Sequence, residues 1–158
     1  MTALAEQLRT ALGDCPPPPR LIVISPDAVA SGNLEFLEGT WRLHQRGPGG
    51  ELEAVRTSGK SSSGDATSLV ADLAFDGKGR GQRVIKLGDG DRCVAAASAT
   101  FRDGRLHLSA NRSDCRSGGR GFVRMSLVCT PAAPPSPARC LEHEPGFPDE
   151  DVWLVRVE

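Results

Sequence analysis

Short apolar runs separated by turn residues recur along the chain from residue 40 to its end. Within several runs the apolar side chains fall on alternate positions, as at Met125, Leu127 and Cys129, and this period of two is typical of a half-buried strand. Asp103-Gly104 supplies the positive φ angles that a type I′ hairpin turn needs. The predicted strands cover residues 40–45, 51–56, 69–75, 82–87, 93–101, 106–109, 121–130, 138–142 and 152–157.

This succession of strands predicts an all-β fold. Turn signals at intervals of roughly 8–15 residues favour a small antiparallel β-barrel of about 8–9 strands, or a β-sandwich. A sheet that closes on itself has no exposed edges, which is why the barrel is an attractive solution for such a chain.

The first 33 residues have a different character. Leu4, Leu8 and Leu12 have helical spacing and predict a short N-terminal helix, with no convincing helix after residue 13. Four prolines then form a stiff extended spacer, and residues 21–24 read as a short strand that clasps the main body. We therefore divide the chain into an N-terminal helix and Pro-rich appendage, residues 1–20, and a single β-barrel domain, residues 21–158.

Composition excludes several classes of function. The formal net charge is −1, so the chain has no strong field of one sign to attract nucleic acid. With two Trp, five Phe and no Tyr, stacking platforms for bases are not expected. No apolar stretch approaches the roughly 20 residues of a membrane span, and the N-terminus lacks the features of a secretory signal in this chain.

The cysteines favour an oxidising compartment. An even set of four in a strand-rich domain predicts two disulfides in any of three connectivities, with four buried thiols as the alternative. None of them forms a C-x-x-C pair, so no zinc site is expected. Disulfides persist in the periplasm or envelope, which the missing signal peptide does not support, and the role of Cys15 is open. The four are Cys93, Cys115, Cys129 and Cys140.

No catalytic or metal-binding constellation stands out. The glycines of residues 76–81 lie between two predicted strands and favour a hairpin turn over a phosphate-binding loop. His44, His107 and His143 lack the spacing of a metalloenzyme, and the acidic residues around 142–151 read as a solvated loop. We therefore expect no enzyme activity, no metal and no cofactor.

Gly39-Thr40-Trp41 resembles the opening of the lipocalin-like (calycin) barrels, in which a G-x-W begins the first strand and the Trp closes one end. The resemblance implies that Arg156, in the last predicted strand, packs across the Trp41 indole. A guanidinium over an indole contributes about 0.5–2 kcal/mol. In this interpretation Gly39, Trp41 and Arg156 are structural residues, and the binding residues are unknown.

A second resemblance covers residues 21–158. Pro26-Asp27-Ala28, the segment from Ser31 to Trp41, the glycines after Phe75 and the four cysteines occur in the order found in the C-terminal domain of SrfA-type virulence-associated bacterial proteins. This resemblance implies an accessory role in the bacterial cell envelope or a virulence-associated system, and no catalysis.

Together these observations predict a binding or interaction module whose partner is another protein. A lipocalin-like protease inhibitor that uses its extended N-terminal segment is one alternative. A carrier of a small apolar ligand or haem is the other, with His143 as the best candidate haem ligand. Nucleic acid is not an expected partner.

Overall fold

A computed structural model of the chain describes residues 17–54 and 69–157, and within these it has one α-helix, one 3-10 turn and eleven strands. Helix α1 spans Pro26–Ser31 and the 3-10 turn spans Glu35–Leu37. The strands are β1 Gly39–Arg46, β2 Leu52–Ala54, β3 Leu69–Phe75, β4 Arg80–Leu87, β5 Arg92–Arg102, β6 Arg105–Ala110, β7 Ser113–Cys115, β8 Gly121–Phe122, β9 Met125–Thr130, β10 Arg139–His143 and β11 Glu150–Val157.

Eight of these strands form a closed antiparallel barrel. Its order is β1-β3-β4-β5-β6-β9-β10-β11. Each barrel strand therefore pairs with the barrel strand that follows it in sequence, and β11 closes the barrel by pairing with β1. The predicted all-β barrel is confirmed, and closure by β1 and β11 decides between a barrel and a sandwich. The remaining strands are accessory: β2 pairs with the end of β1, while β7 pairs with β5 and β8 with β7.

Alternation along the strands fills the barrel with apolar side chains. In β5, Cys93, Ala95, Ala97 and Ala99 are buried while the residues between them face solvent. Small side chains on this strand leave room for the large residues of the strands around it. The interior is centred on five leucines, namely Leu73, Leu106, Leu108, Leu127 and Leu154.

One end of the barrel, where β1 begins and β11 ends, is covered by the N-terminal part of the domain. We call it the closed end, and the opposite end the mouth. Leu21 forms a single antiparallel bridge with Val155, and the Ile22 amide donates to the Leu154 carbonyl. Ile22, Ile24 and, from the 3-10 turn, Leu37 are almost completely buried. Residues 21–24, predicted as a short strand, therefore form a single β-bridge and a cap over the closed end of the barrel.

The expectation of no helix after residue 13 was wrong, because α1 follows this segment. Ser25 caps its N-terminus by accepting a hydrogen bond from the Ala28 amide, and Pro26 occupies the first turn. Gly32, with φ of 71°, ends the helix in a left-handed conformation. Ser, Pro and Gly at these positions are helix-boundary signals as well as turn signals, and the helix is too short to show an apolar period.

One further strand prediction needed correction, and one strand was missed. The run predicted at 121–130 is interrupted at Val123 and Arg124, which divides it into β8 and β9. Strand β7 was not predicted at all, because its three residues show no apolar alternation. The predicted helix over residues 2–12, Cys15 and the end of the strand predicted at 51–56 lie outside the described residues, as does the Gly/Ser-rich segment of residues 58–67.

Candidate functional site

The structure brings Gly39, Trp41 and Arg156 together at the closed end. Trp41 and Arg156 are directly opposite on β1 and β11, and the guanidinium carbon lies 5.4 Å from the centroid of the indole. The indole nitrogen donates to the Leu37 carbonyl at 2.9 Å, and the ring is 5% exposed. The Trp side chain is thus fixed by one hydrogen bond and covered by one cation.

Gly39 is required beside this cation for two reasons. Its φ of 122° lies in the region that L side chains rarely adopt, and an added Cβ would lie 2.8 Å from Nη2 of Arg156. A larger residue would therefore have to displace the guanidinium. This arrangement acts on the stability of the closed end.

The central section of the barrel is filled. The five interior leucines are each at most 1% accessible to water, and so is Val152. A ligand cavity large enough for even one water molecule would leave accessible surface on the side chains that line it. Side chains therefore occupy the space that a lipid or haem would need beside these residues.

Two disulfides brace the wall, which confirms the two-disulfide prediction and selects one of the three connectivities. Cys93 on β5 bonds to Cys115 on β7, and Cys129 on β9 bonds to Cys140 on β10. Each bridge joins two residues that are directly opposite in neighbouring antiparallel strands. All four cysteines are buried and belong to the core.

A buried charged cluster near the mouth was missed by the sequence analysis. Arg83 of β4 is 2% exposed, and its Nη2 donates to the Asn111 carbonyl, the Ser113 hydroxyl and the Val123 carbonyl. These hydrogen bonds fix the segment that joins β6 to β7 and the segment that joins β8 to β9. Burial lowers the pKa of the Arg83 guanidinium, and the negative charges of Glu144 and Glu142 oppose this shift.

The reading of the acidic residues as a solvated loop was wrong for two of them. Glu142 is 3% exposed and Glu144 is 8% exposed. Glu142 shares the inward face of β10 with Cys140, and an inward glutamate is tolerated only where a positive charge compensates it. That compensation comes from another strand, so the sequence near residue 142 contains no sign of it.

The histidines do not converge on a metal or haem site. His143 is exposed on the outer side of β10, where its Nδ1 lies 2.7 Å from an oxygen of Asp149. His107 lies on β6 between two buried residues, and His44 lies on β1 between the buried Leu43 and the half-buried Gln45. Among the described residues, no group of three His, Cys, Asp or Glu side chains is placed to hold a metal ion.

Two features of the outer surface can contact a partner. An open cleft of about 560 Å³ at the closed end lies between α1, the turn before β6 and residues 130–133. The second feature is an apolar strip on β9, β10, β11 and the preceding cap, which we call the outer strip. It consists of Val23, Val128, Leu141 and Trp153.

Comparison with known proteins gave no match to the chain among protein families, curated proteins or solved structures. The two family resemblances therefore stay predictions. In the described part of the chain, no helix has the length and apolar character needed to cross a membrane.

Proposed function

We propose that the chain is a non-enzymatic interaction module that binds another protein through the outer surface of its barrel. The observation that carries this proposal is the packed central section of the barrel, where five leucines and Val152 are each at most 1% exposed. Because the core leucines leave no water-sized space beside them, binding to the outer surface requires no rearrangement of the core, whereas binding inside the barrel would expel packed side chains at a cost of several kcal/mol.

We further propose that the module works in an oxidising compartment such as the bacterial envelope. The two disulfides support this placement, since such bonds persist outside the reducing cytosol. It also agrees with the role implied by the resemblance to SrfA-type virulence-associated proteins. A carrier of a small apolar ligand or haem is less well supported, because His143 points away from the barrel interior.

A lipocalin-like protease inhibitor is a second candidate, favoured by the way the cap is anchored. The Arg156 amide donates to the Arg20 carbonyl at 2.8 Å, and Ile22 is buried just after it. The chain is therefore anchored to the barrel at Arg20 and Ile22. Inhibition of a co-secreted protease that disappears when residues 1–16 are deleted is the result that this candidate requires.

The proposed function is tested by purifying the protein from an oxidising host and analysing it by native mass spectrometry and visible absorbance. We expect the mass of the polypeptide with two disulfides, no stoichiometric small molecule and no haem band. Chemical cross-linking in the envelope fraction is then expected to recover one defined protein partner. A small molecule bound one to one, or a turnover lost on substitution of one histidine, contradicts the proposal.

A further inference from the structure

Trp153 is a half-buried aromatic residue on the wall of the barrel. It lies on the outer side of β11, between the buried residues Val152 and Leu154, and directly opposite His44 of β1. The chain has only two tryptophans, and the other one, Trp41, is buried in the core. A large aromatic side chain on the solvent side of a strand is typical of a protein interface.

Other apolar residues extend the surface around this ring. Leu141 is 43% exposed on β10 and lies directly opposite Val128 of β9. Val23 is 38% exposed and follows Ile22, which hydrogen-bonds to β11 on one side and to Ala138 on the other. Val23 and Leu141, two of the most exposed large apolar residues in the described part of the chain, therefore lie in the outer strip beside the half-buried Trp153.

The polar groups around the outer strip are mainly basic. The guanidinium carbon of Arg46 lies 4.9 Å from the centroid of the Trp153 ring, and Arg139 is exposed on the same outer side of β10 as Leu141. Arg105 is exposed at the start of β6. On the outer sides of β1, β6, β9, β10 and β11, all within the described residues, Asp151 is the single carboxylate, and it lies directly opposite Leu141. Asp149, just before β11, is paired with His143.

We propose that the outer strip is the docking surface for a short acidic segment of a partner protein. This inference rests on the proposed function and names its surface. Apolar side chains of the segment would cover Trp153 and Leu141, and its carboxylates would pair with Arg46 and Arg139. Tryptophan and arginine are the residue types in which interface binding energy concentrates, and complementary charge selects the acidic partner over others.

The same charges argue against two other occupants. A second copy of the chain would bring the arginines of two identical strips together, and like charges in contact are unfavourable. An anionic lipid surface is attracted by clusters of about four to eight basic residues, and the arginines here are fewer and spread over three strands. Both occupants are kept as outcomes of the test.

The test is a selection of phage-displayed random peptides on the immobilised, oxidised protein, followed by titration of the selected peptides in synthetic form. We expect acidic sequences with apolar residues, whose affinity falls about tenfold or more on Trp153→Ser, as for an interface hot spot. We expect a smaller loss on Arg139→Glu, and weaker binding at high salt. Sedimentation and binding to vesicles rich in phosphatidylserine are measured in parallel.

The matched controls are Val94→Ser and Arg92→Glu on β5, which lies four strands from β11 in either direction around the barrel. Val94 is 44% exposed, close to the value for Leu141, and neither control is expected to change peptide affinity. Peptides that bind Trp153→Ser as well as wild type overturn the docking surface but leave the proposed function standing. Failure to select any peptide, selection of basic peptides, or dimer or vesicle binding lost on Trp153→Ser overturns the inference.

Discussion

At position 39, both the backbone conformation and a neighbouring side chain favour glycine over any larger residue. Its φ is 122°, and the space where a side chain would begin is occupied by the Arg156 guanidinium. We expect Gly39→Ala to lower the free energy of unfolding by about 1–3 kcal/mol, the usual cost of forcing a residue into such a conformation. Urea unfolding measures this loss.

Gly49→Ala is the matched control, because an added Cβ there meets no atom within 4 Å and the backbone is not in the left-handed region. We expect its unfolding curve to coincide with wild type within about 0.5 kcal/mol. Equal effects of the two substitutions would show that the Gly39 contact with Arg156 is not a source of stability.

At the residue scale, sequence reasoning identified positions whose partners have distinctive chemistry. Trp41 and Arg156 were paired by their resemblance to a known arrangement, and the even set of cysteines predicted two bridges. Arg83 and Glu142 were missed for a physical reason: each is an ordinary strand residue by its neighbours, and only the closed barrel places an arginine and two glutamates near each other. Burial of a charged side chain is a property of the tertiary fold.

At the scale of elements, the β7–β8 hairpin is attached to the turn between β4 and β5 by carboxylates. Asp89 accepts hydrogen bonds from the Asp91 amide and from Arg120, and Asp91 accepts from the Ser117 hydroxyl. The Asp91 amide, with help from Arg120, lowers the pKa of Asp89, and the Ser117 hydroxyl lowers the pKa of Asp91.

These shifts predict a hairpin that loosens in acid. Because both pKa values lie below the ordinary value of about 3.9, the contribution to stability is fully present above that value. It is lost as the pH falls through the lower folded pKa values. Carboxyl titration by NMR should place both midpoints below those of unfolded peptides, and amide exchange in residues 113–122 should rise on acidification. In Asp89→Asn that rise should be smaller; an unchanged rise contradicts the assignment.

Sequence predicted the elements best where local chemistry specifies the backbone. Asp103 and Gly104 have φ of 51° and 75°, as the type I′ prediction required, and β3 has the bounds that were predicted for it. Helix α1 and strand β7 were missed because they are short and gain their stability from contacts with the barrel. The gap between β8 and β9 is hydrogen-bonded to Arg83, which is 40 residues before Val123 in sequence.

For the whole molecule, the cap formed by residues 21–24 is the described part of the N-terminal region that packs on the barrel. Deletion of residues 1–16 should change the free energy of unfolding by less than about 0.5 kcal/mol. Deletion of residues 1–24 also removes Ile22 and Ile24, which are 1% and 0% exposed. At about 1.5–3 kcal/mol for each buried side chain, we expect a loss of about 3–6 kcal/mol.

The double substitution of Ile22 and Ile24 by Ala tests whether the lost stability comes from these two side chains or from the backbone of the cap. It should reproduce most of the loss seen on deletion of residues 1–24 in the same urea unfolding experiment. If the shorter deletion is as damaging as the longer one, the boundary predicted at residue 20 is misplaced.

Closure of the barrel was the part of the fold that the strand pattern could not decide, because a sandwich and a barrel show the same alternation. The deciding contact joins the first barrel strand to the last, as in the pairing of Trp41 with Arg156. Such a contact is specified by the length and tilt of every strand between them, and no local signal records it.

The pairing of the cap with β11 also fixes where the chain enters and leaves the domain. The Arg20 carbonyl accepts from the Arg156 amide, so the polypeptide arrives and departs side by side at the closed end. A domain with this geometry can be inserted into a surface loop of a host protein without separating the two ends of that loop. Such insertions succeed where the ends of the inserted domain are close together. In such a fusion the two ends of the domain would lie side by side at the host loop, and the mouth of the barrel would face away from the host.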